Sequence, residues 1–166
     1  PNLSEFHKQE NPKYLQWWYK YCRLSEANDK DVLRARTAYW ALVSSMDRMI
    51  GRILKALKSN GLDKNTLIVY TSDHGDMLGE HGLFWKHTFY ESSARIPLIL
   101  SWPGVIPSGQ RKTEVVSSID VTASILDALE APDLPGSSGK SFIPLVVNSN
   151  KKQKINWDNV AYSEYC

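Results

Sequence analysis

The sequence predicts an α/β fold, with a largely parallel sheet flanked by helices, on three observations. Residues 29–60 repeat apolar side chains every three or four positions, which is typical of an amphipathic helix. The uninterrupted apolar run Leu67–Tyr70 follows after a short loop, and Ile96–Leu100 is a second such run. The β-branched and aromatic residues of Leu67–Tyr70 indicate a strand buried on both faces, as in parallel sheets covered by helices. A helix followed by a buried strand is the repeating unit of α/β domains.

The composition fits one folded domain and argues against two classes of partner. The chain has 166 residues, 42% of them hydrophobic, and a net charge of +2 with both signs interspersed. A nucleic-acid-binding surface needs a basic patch and a membrane span needs about 18 consecutive apolar residues, and the sequence has neither. We therefore expect no nucleic acid and no membrane as a partner. The two cysteines, Cys22 and Cys166, are too few for a disulfide framework and leave the cellular compartment open.

The first 28 residues form an aromatic-rich lead-in that we expect to be a loop followed by a short helix. Its aromatic side chains require a partner surface, either as cover for the sheet edge or as the wall of a substrate pocket. They are Tyr14, Trp17, Trp18, Tyr19 and Tyr21. The long helix that follows starts with acidic residues, which its dipole favours, and ends at Asn60-Gly61, where a left-handed residue is needed. We expect one side of this helix to pack on the sheet, and we interpret Asp47, in mid-helix, as structural.

Chemically distinctive residues follow the first strand. Asp73 and His74 come directly after it, and ligands of α/β sheets bind beyond the carboxyl ends of the strands, so this pair is placed to hold a metal or an anion. Lys86 returns a positive charge thirteen residues after Asp73. Three glycines permit close approach of the intervening backbone to a ligand: Gly75, Gly79 and Gly82. Taken singly, Asp73 is more commonly a cap or turn residue and His74 a loop histidine, but together with Lys86 they predict a site for a metal and an oxyanion.

Other polar residues of this loop have simpler interpretations. Asp76 and Glu80 lack the second acidic or imidazole partner that a metal site needs, so we expect them to be turn or solvated residues. We expect His81 to hydrogen-bond the loop to itself. His87, beside the lysine, is a candidate substrate-binding residue, with simple packing as the alternative, and Trp85 has the same two interpretations.

Two further helices are predicted downstream. Glu91 and Arg95 stand four residues apart and predict an ion pair on a short helix. A helix is expected from Ser118 to Leu129, because Ser117 and Asp120 have the spacing of a capping box. Asp120 is therefore interpreted as a helix-start carboxylate and not as a third metal ligand.

The chain divides into three parts by composition. We expect short strands at Thr113–Ser117 and Val160–Ser163, and a basic, polar linker at Asn148–Asn156. The chain starts at Pro1 without an initiator methionine and stops just after the last predicted strand, so both ends are expected to be cuts. The parts are the lead-in 1–28, a helix/strand core with the metal loop 29–147, and the linker with the start of a further strand 148–166.

The polar loop resembles the type I sulfatases of the alkaline-phosphatase superfamily, in particular choline-sulfatase-like and iduronate-sulfatase-like members. The motif SDHGD-x-LGEHG-x-x-x-K, followed by E-x-x-x-R-I-P-L-I, carries the resemblance, which extends over roughly Leu33 to Leu145. The resemblance implies a partial alkaline-phosphatase-like domain. It also implies that Asp73 and His74 are two ligands of a divalent metal, and that Lys86 is a catalytic residue that contacts the oxygens of the transferred sulfate or phosphate.

The resemblance and the chemistry of the ligands favour different metals. Calcium prefers an all-oxygen shell, whereas an imidazole suits manganese or zinc. The resemblance implies calcium, which most sulfatases of this kind carry, while related phosphonate hydrolases use manganese. We expect calcium, with manganese as the alternative.

Two parts of a complete sulfatase site are missing from the sequence. The resemblance implies a formylglycine nucleophile, made from the first residue of Cys/Ser-x-Pro-x-Arg, and acidic metal ligands from an early strand. Ser101 fails this motif at the arginine position and Cys22 fails it at the proline position. Two protein ligands alone do not make a catalytic metal site. We therefore expect the latter part of a longer enzyme, inactive by itself, with formylglycine in the upstream half.

Three functions are left open by this reasoning. The first is a sulfatase that acts on a sulfate ester of a small molecule or glycan, with the remainder of its own catalytic domain as partner. The second is a hydrolase of phosphonate monoesters or phosphodiesters from the same superfamily. The third is a non-catalytic fragment that binds a metal or an anion.

Overall fold

The computed structural model describes residues 12–147 and 156–164, which form two compact units. The first unit takes in the chain as far as Asn60 together with Thr71–Leu98, and the second takes in Gly61–Tyr70 and the chain from Ile99 onwards. Helices alternate with the strands of a small two-stranded sheet, which confirms the predicted α/β class. Residues 1–11 of the lead-in and 148–155 of the predicted linker lie outside the described residues, as do 165–166. No helix of the described part is both long and apolar enough to cross a membrane.

The core of the first unit forms between its first helix and the polar loop. The unit contains three α-helices, α1 (Lys13–Tyr21), α2 (Asp29–Ser59) and α3 (Glu91–Ala94). It also contains two 3-10 turns, Leu24–Glu26 and Glu80–Gly82. The buried core residues are Leu15, Tyr19, Leu24, Met77 and Leu83, and partly buried Tyr14, Trp18, Cys22, Phe84 and Tyr90 pack around them. The aromatic lead-in therefore packs on the loop that carries the candidate site.

Helix α2 begins and ends at capping residues. The Asn28 side chain accepts hydrogen bonds from the backbone N–H groups of Lys30 (2.9 Å) and Asp31 (3.3 Å). The Asp31 carboxylate accepts one from the Asn28 backbone (3.1 Å), which completes a capping box. At the other end Gly61 has a φ of +67°, the left-handed conformation that Asn60-Gly61 predicts.

The apolar stripe of α2 is open to solvent in this structure. Three of its residues are more than half exposed: Leu42, Met49 and Ile53. Leu33 and Trp40 are exposed as well, but at about 3.6 residues per turn they lie on the opposite face of the helix. Val32, at the start of the helix, is the only buried residue of α2. The expectation that one side of this helix is covered is therefore not met, because periodicity identifies the face that avoids water but not the polypeptide that covers it.

The second unit contains the sheet and two helices. Strands β1 (Ile68–Thr71) and β2 (Leu98–Ser101) are hydrogen-bonded neighbours and lie within two residues of the predicted runs. Their side chains are partly buried or exposed, and Ile99 of β2 is 60% exposed. The prediction that β1 is buried on both faces is wrong, because two paired strands do not make a covered sheet. The helices are α4 (Ser118–Ala128) and α5 (Ile143–Val146).

Asp120 organises the start of α4, as predicted. One carboxylate oxygen accepts a hydrogen bond from the backbone N–H of Ser117 (2.8 Å), and the other accepts one from the backbone N–H of Lys140 (2.9 Å). Both oxygens of this buried carboxylate therefore accept a hydrogen bond. Its interpretation as a helix-start residue is confirmed.

Two predicted strands do not form. Residues 113–117 and 160–163 have neither helical nor strand structure. Side chains take the place of strand partners at Val115: its N–H donates to Asn159 Oδ1 (2.6 Å), and its carbonyl accepts from Trp157 Nε1 (2.7 Å). Asn159 also has a left-handed φ of +57°, which interrupts an extended segment just before Val160.

Candidate active site

The polar loop after β1 folds back on itself through backbone hydrogen bonds. Gly79 N–H donates to the Leu83 carbonyl (2.7 Å), Met77 N–H to the Trp85 carbonyl (2.8 Å), and Gly75 N–H to the Ser93 carbonyl (2.8 Å). The buried side chains of Met77 and Leu83 pack in the core of the first unit and hold the loop against it. The fold-back brings the lysine segment alongside the segment that carries Asp73 and His74.

Three residues of the loop that are not glycine have positive φ: Leu78 (45°), His81 (52°) and Trp85 (66°). Each pays the steric cost of a left-handed backbone, and such strain persists only where the surroundings determine it. At Leu78 the surroundings include Arg36 of α2, whose Nε donates to the Leu78 carbonyl (2.8 Å). The loop is therefore held in one conformation by contacts on both sides.

The side chains of Asp73 and His74 lie next to each other. His74 Nδ1 lies 2.8 Å from the Gly75 carbonyl oxygen, which can only accept, so this partner assigns the proton of the neutral ring to Nδ1. The other ring nitrogen, Nε2, then has a free lone pair and lies 3.4 Å from Asp73 Oδ2. Two acceptor atoms at this distance can share a cation. Ligands about 2.0–2.4 Å from one ion and at right angles are roughly 3 Å apart, so the pair fits a shared metal.

The Asp73 carboxylate is exposed and electrostatically favoured in its charged form. Slight desolvation raises its pKa, but the backbone N–H groups of Asp73 and His74 and the charges of His74 and Lys86 outweigh it and lower the pKa below the ordinary value. The His74 backbone N–H reaches Asp73 Oδ1 at 3.0 Å. Lys86 is the smallest of these causes.

Lys86 is held through its backbone while its side chain is exposed. Its carbonyl accepts hydrogen bonds from Ser93 Oγ (2.5 Å) and from the Thr88 backbone (2.8 Å). On either side of it, Trp85 and His87 both contact Trp18 of α1, with ring centroids 5.9 and 4.3 Å apart. The structure thus shows packing for His87, and its contact with substrate stays a prediction.

The remaining acidic residues of the loop have structural contacts. Asp76 accepts a hydrogen bond from the Leu78 backbone N–H (2.9 Å), which confirms it as a turn residue, and Glu80 accepts one from Ser92 Oγ. His81 stacks on Tyr90, with centroids 4.1 Å apart, where we expected a hydrogen bond within the loop.

The ion pair predicted on the short helix forms. Arg95 Nη1 lies 3.2 Å from the Glu91 carboxylate, and both side chains are largely exposed, so the pair contributes little to stability.

The metal pair is incomplete within the described residues. Across 12–147 and 156–164, no group of three or more His, Cys, Asp or Glu side chains is arranged to hold a metal. Further ligands would have to come from outside the described residues if the pair is to bind a metal tightly.

The chain belongs to the sulfatase family, because the family model described as Sulfatase matches residues 5–131.

Several characterised proteins are similar to the chain. Arylsulfatase K of Canis lupus familiaris is 38% identical over 143 residues, which cover 86% of the chain and 26% of that protein. Choline-sulfatase of Rhizobium meliloti (strain 1021) is 35% identical over 144 residues, covering 84% and 28%. The crystal structure of the phosphonate monoester hydrolase SpPMH from Silicibacter pomeroyi superposes with a TM-score of 0.70 at 32% identity, covering 76% of the chain and 25% of that protein. The chain thus spans about a quarter of the length of these relatives.

We predict that Gly75→Ala in the complete protein will lower the free energy of unfolding by roughly 2 kcal/mol or more. A Cβ at this position would overlap the carbonyl oxygen of Ser92, which is backbone and cannot rotate away. Gly51→Ala is the matched control, since its Cβ meets nothing within 4 Å and alanine is favoured in a helix interior by up to about 1 kcal/mol. Chemical denaturation measures both, and equal effects of the two substitutions would contradict the close approach.

Proposed function

We propose that the chain is part of a sulfuric-ester hydrolase, to which it contributes half of a divalent-metal site and a sulfate-contacting lysine. The observation that carries the proposal is the pair of facing acceptor atoms, Asp73 Oδ2 and His74 Nε2, 3.4 Å apart in the loop that also returns Lys86. The similarity to arylsulfatase K and choline-sulfatase supports sulfate esters as the substrate class.

Asp73 and His74 would hold the metal, and Lys86 would act beside it. When bound, the ion would polarise the oxygens of the sulfate group. The exposed side chain of Lys86 would offset the negative charge that develops on those oxygens as the sulfur–oxygen bond breaks. His87, the residue after the lysine, is proposed to contact the substrate while packing on Trp18.

Calcium is the proposed metal, with manganese as the alternative. Asp73 supplies a hard carboxylate oxygen that suits calcium, and the imidazole of His74 suits manganese better. The nucleophile is proposed to be a formylglycine outside this chain, because the sequence contains no Cys/Ser-x-Pro-x-Arg motif.

Two partners follow from this proposal. One is a sulfate ester of a small molecule or a glycan. The other is the remainder of the catalytic domain, which would supply the missing metal ligands and cover the apolar stripe of α2. In isolation the chain would act as a metal- or anion-binding fragment without turnover.

A second candidate is hydrolysis of phosphonate monoesters or phosphodiesters. The superposition on the hydrolase from Silicibacter pomeroyi favours it. We expect the complete protein to have a higher kcat/KM for 4-nitrophenyl sulfate than for 4-nitrophenyl phenylphosphonate or bis(4-nitrophenyl) phosphate. The reverse order would move the assignment to phosphoryl transfer.

Removing the side chains of the site tests their roles directly. In the complete protein, Asp73→Ala or Lys86→Ala is expected to lower kcat/KM for the sulfate ester by roughly 100-fold or more. The first removes a proposed ligand of the metal, and the second removes a positive charge that stabilises the transition state. Asp47→Ala and Lys55→Ala delete the same charges from the exposed surface of α2 and should stay near the wild-type value. Near-normal turnover of either variant would contradict the role proposed for that residue.

Metal titration separates the two ligands from the lysine. After treatment with EDTA, the complete protein should lose activity and regain it with Ca²⁺ or Mn²⁺. Calorimetric titration should show weaker binding of the restoring ion to Asp73→Asn and to His74→Ala, but not to Lys86→Ala. Unchanged affinity in both ligand variants would place the metal elsewhere.

A further inference from the structure

Ser93 links the two halves of the candidate site through hydrogen bonds. The His74 ring donates from Nδ1 to the Gly75 carbonyl (2.8 Å). The Gly75 N–H donates to the Ser93 carbonyl (2.8 Å), and the Ser93 hydroxyl donates to the Lys86 carbonyl (2.5 Å). Three bonds therefore join the imidazole to the backbone of the lysine, and Gly75 and Ser93 each take part in two of them.

The burial of Ser93 makes this linkage stiff. Ser93 is 3% exposed, so its hydroxyl has no water to replace a lost partner and stays on the Lys86 carbonyl. The backbone of α3 lies so close to Gly75 that a Cβ there would lie 3.4 Å from Ser93 Cα and would overlap Ser92. A shift of the His74 segment relative to Ser93 would therefore break the hydrogen bond between Gly75 and Ser93 or bring their backbones into overlap.

We propose that Ser93 is a positioning residue that sets the place of Lys86 relative to the Asp73–His74 pair. The proposal rests on the proposed function, since it assigns Ser93 to the geometry of that site. Ser93 touches no reacting group, and its effect passes through the backbone of Lys86. Without its hydroxyl, the Lys86 carbonyl keeps only the bond from the Thr88 backbone, a neighbour that moves with it.

The neighbouring residue Ser92 provides a matched control. It is also a serine of α3, but its hydroxyl donates to the carboxylate of Glu80, on the exposed side of the loop. Ser92→Ala removes the same atom as Ser93→Ala and leaves every bond between His74 and Lys86 in place.

The test measures kcat and KM for 4-nitrophenyl sulfate, inhibition by inorganic sulfate, and Ca²⁺ and Mn²⁺ affinity in the complete protein. Ser93→Ala should lower kcat/KM roughly 10- to 100-fold, the range seen when the supporting partner of a site residue is removed. It should weaken inhibition by sulfate and leave metal affinity near wild type, because the lysine moves and the metal ligands do not. Ser92→Ala should stay within about twofold of wild type in all three.

A double-mutant cycle distinguishes positioning from a general structural role. If Ser93 acts through the lysine, Ser93→Ala should have little further effect in the Lys86→Ala background. An equal loss in both backgrounds would overturn the proposal, as would an active wild type whose Ser93→Ala variant is unimpaired. An inactive wild type would overturn the proposed function and this inference with it. Should Ser93→Ala fail to fold, Ser93→Cys replaces it: its weak S–H donor should give an intermediate loss in the wild-type background only.

Discussion

The close approach of the Gly75 backbone to Ser92 and Ser93 is the contact on which the candidate site depends. A side chain at position 75 would separate the two segments, and the hydrogen bond between Gly75 and Ser93 would be lost with them. Because the segments lie together, the backbone of Lys86, thirteen residues from Asp73, is joined through Ser93 to Gly75. The site is thus created by backbone packing before any side chain takes part in chemistry.

The strained backbone of the loop is offset by the burial of its apolar side chains. Left-handed backbone at Leu78, His81 and Trp85 costs on the order of 1–2 kcal/mol per residue. Burying the side chains of Met77 and Leu83 contributes about 1.5–3 kcal/mol each, so the two effects are of similar size. The contacts with α1 and with Arg36 of α2 then decide the balance, which explains why the aromatic lead-in belongs to the same compact unit as the loop.

Local patterns in the sequence were sufficient for the elements and for the adjacent pair. The bounds of α2 and α4 follow from periodicity and capping residues, and Asp73 and His74 meet because they are neighbours in the chain. Contacts between distant segments were not predictable in the same way. Ser93 has no chemical signature within the E-x-x-x-R motif, and its importance arises only when the loop folds back on α3. The wrong prediction of a strand at 113–117 has the same cause. The backbone of this segment is hydrogen-bonded by the side chains of Trp157 and Asn159, which are over forty residues away in the sequence.

The long helix α2 carries a consequence for the behaviour of the chain in solution. Leu42, Met46, Met49 and Ile53 share one face of this helix and are exposed, and exposed apolar faces associate with other apolar surfaces. A preparation of this chain by itself would self-associate as its concentration rises. In the complete protein, the solvent exposure of this face of α2 would measure how far the surrounding polypeptide has assembled, before any substrate is added.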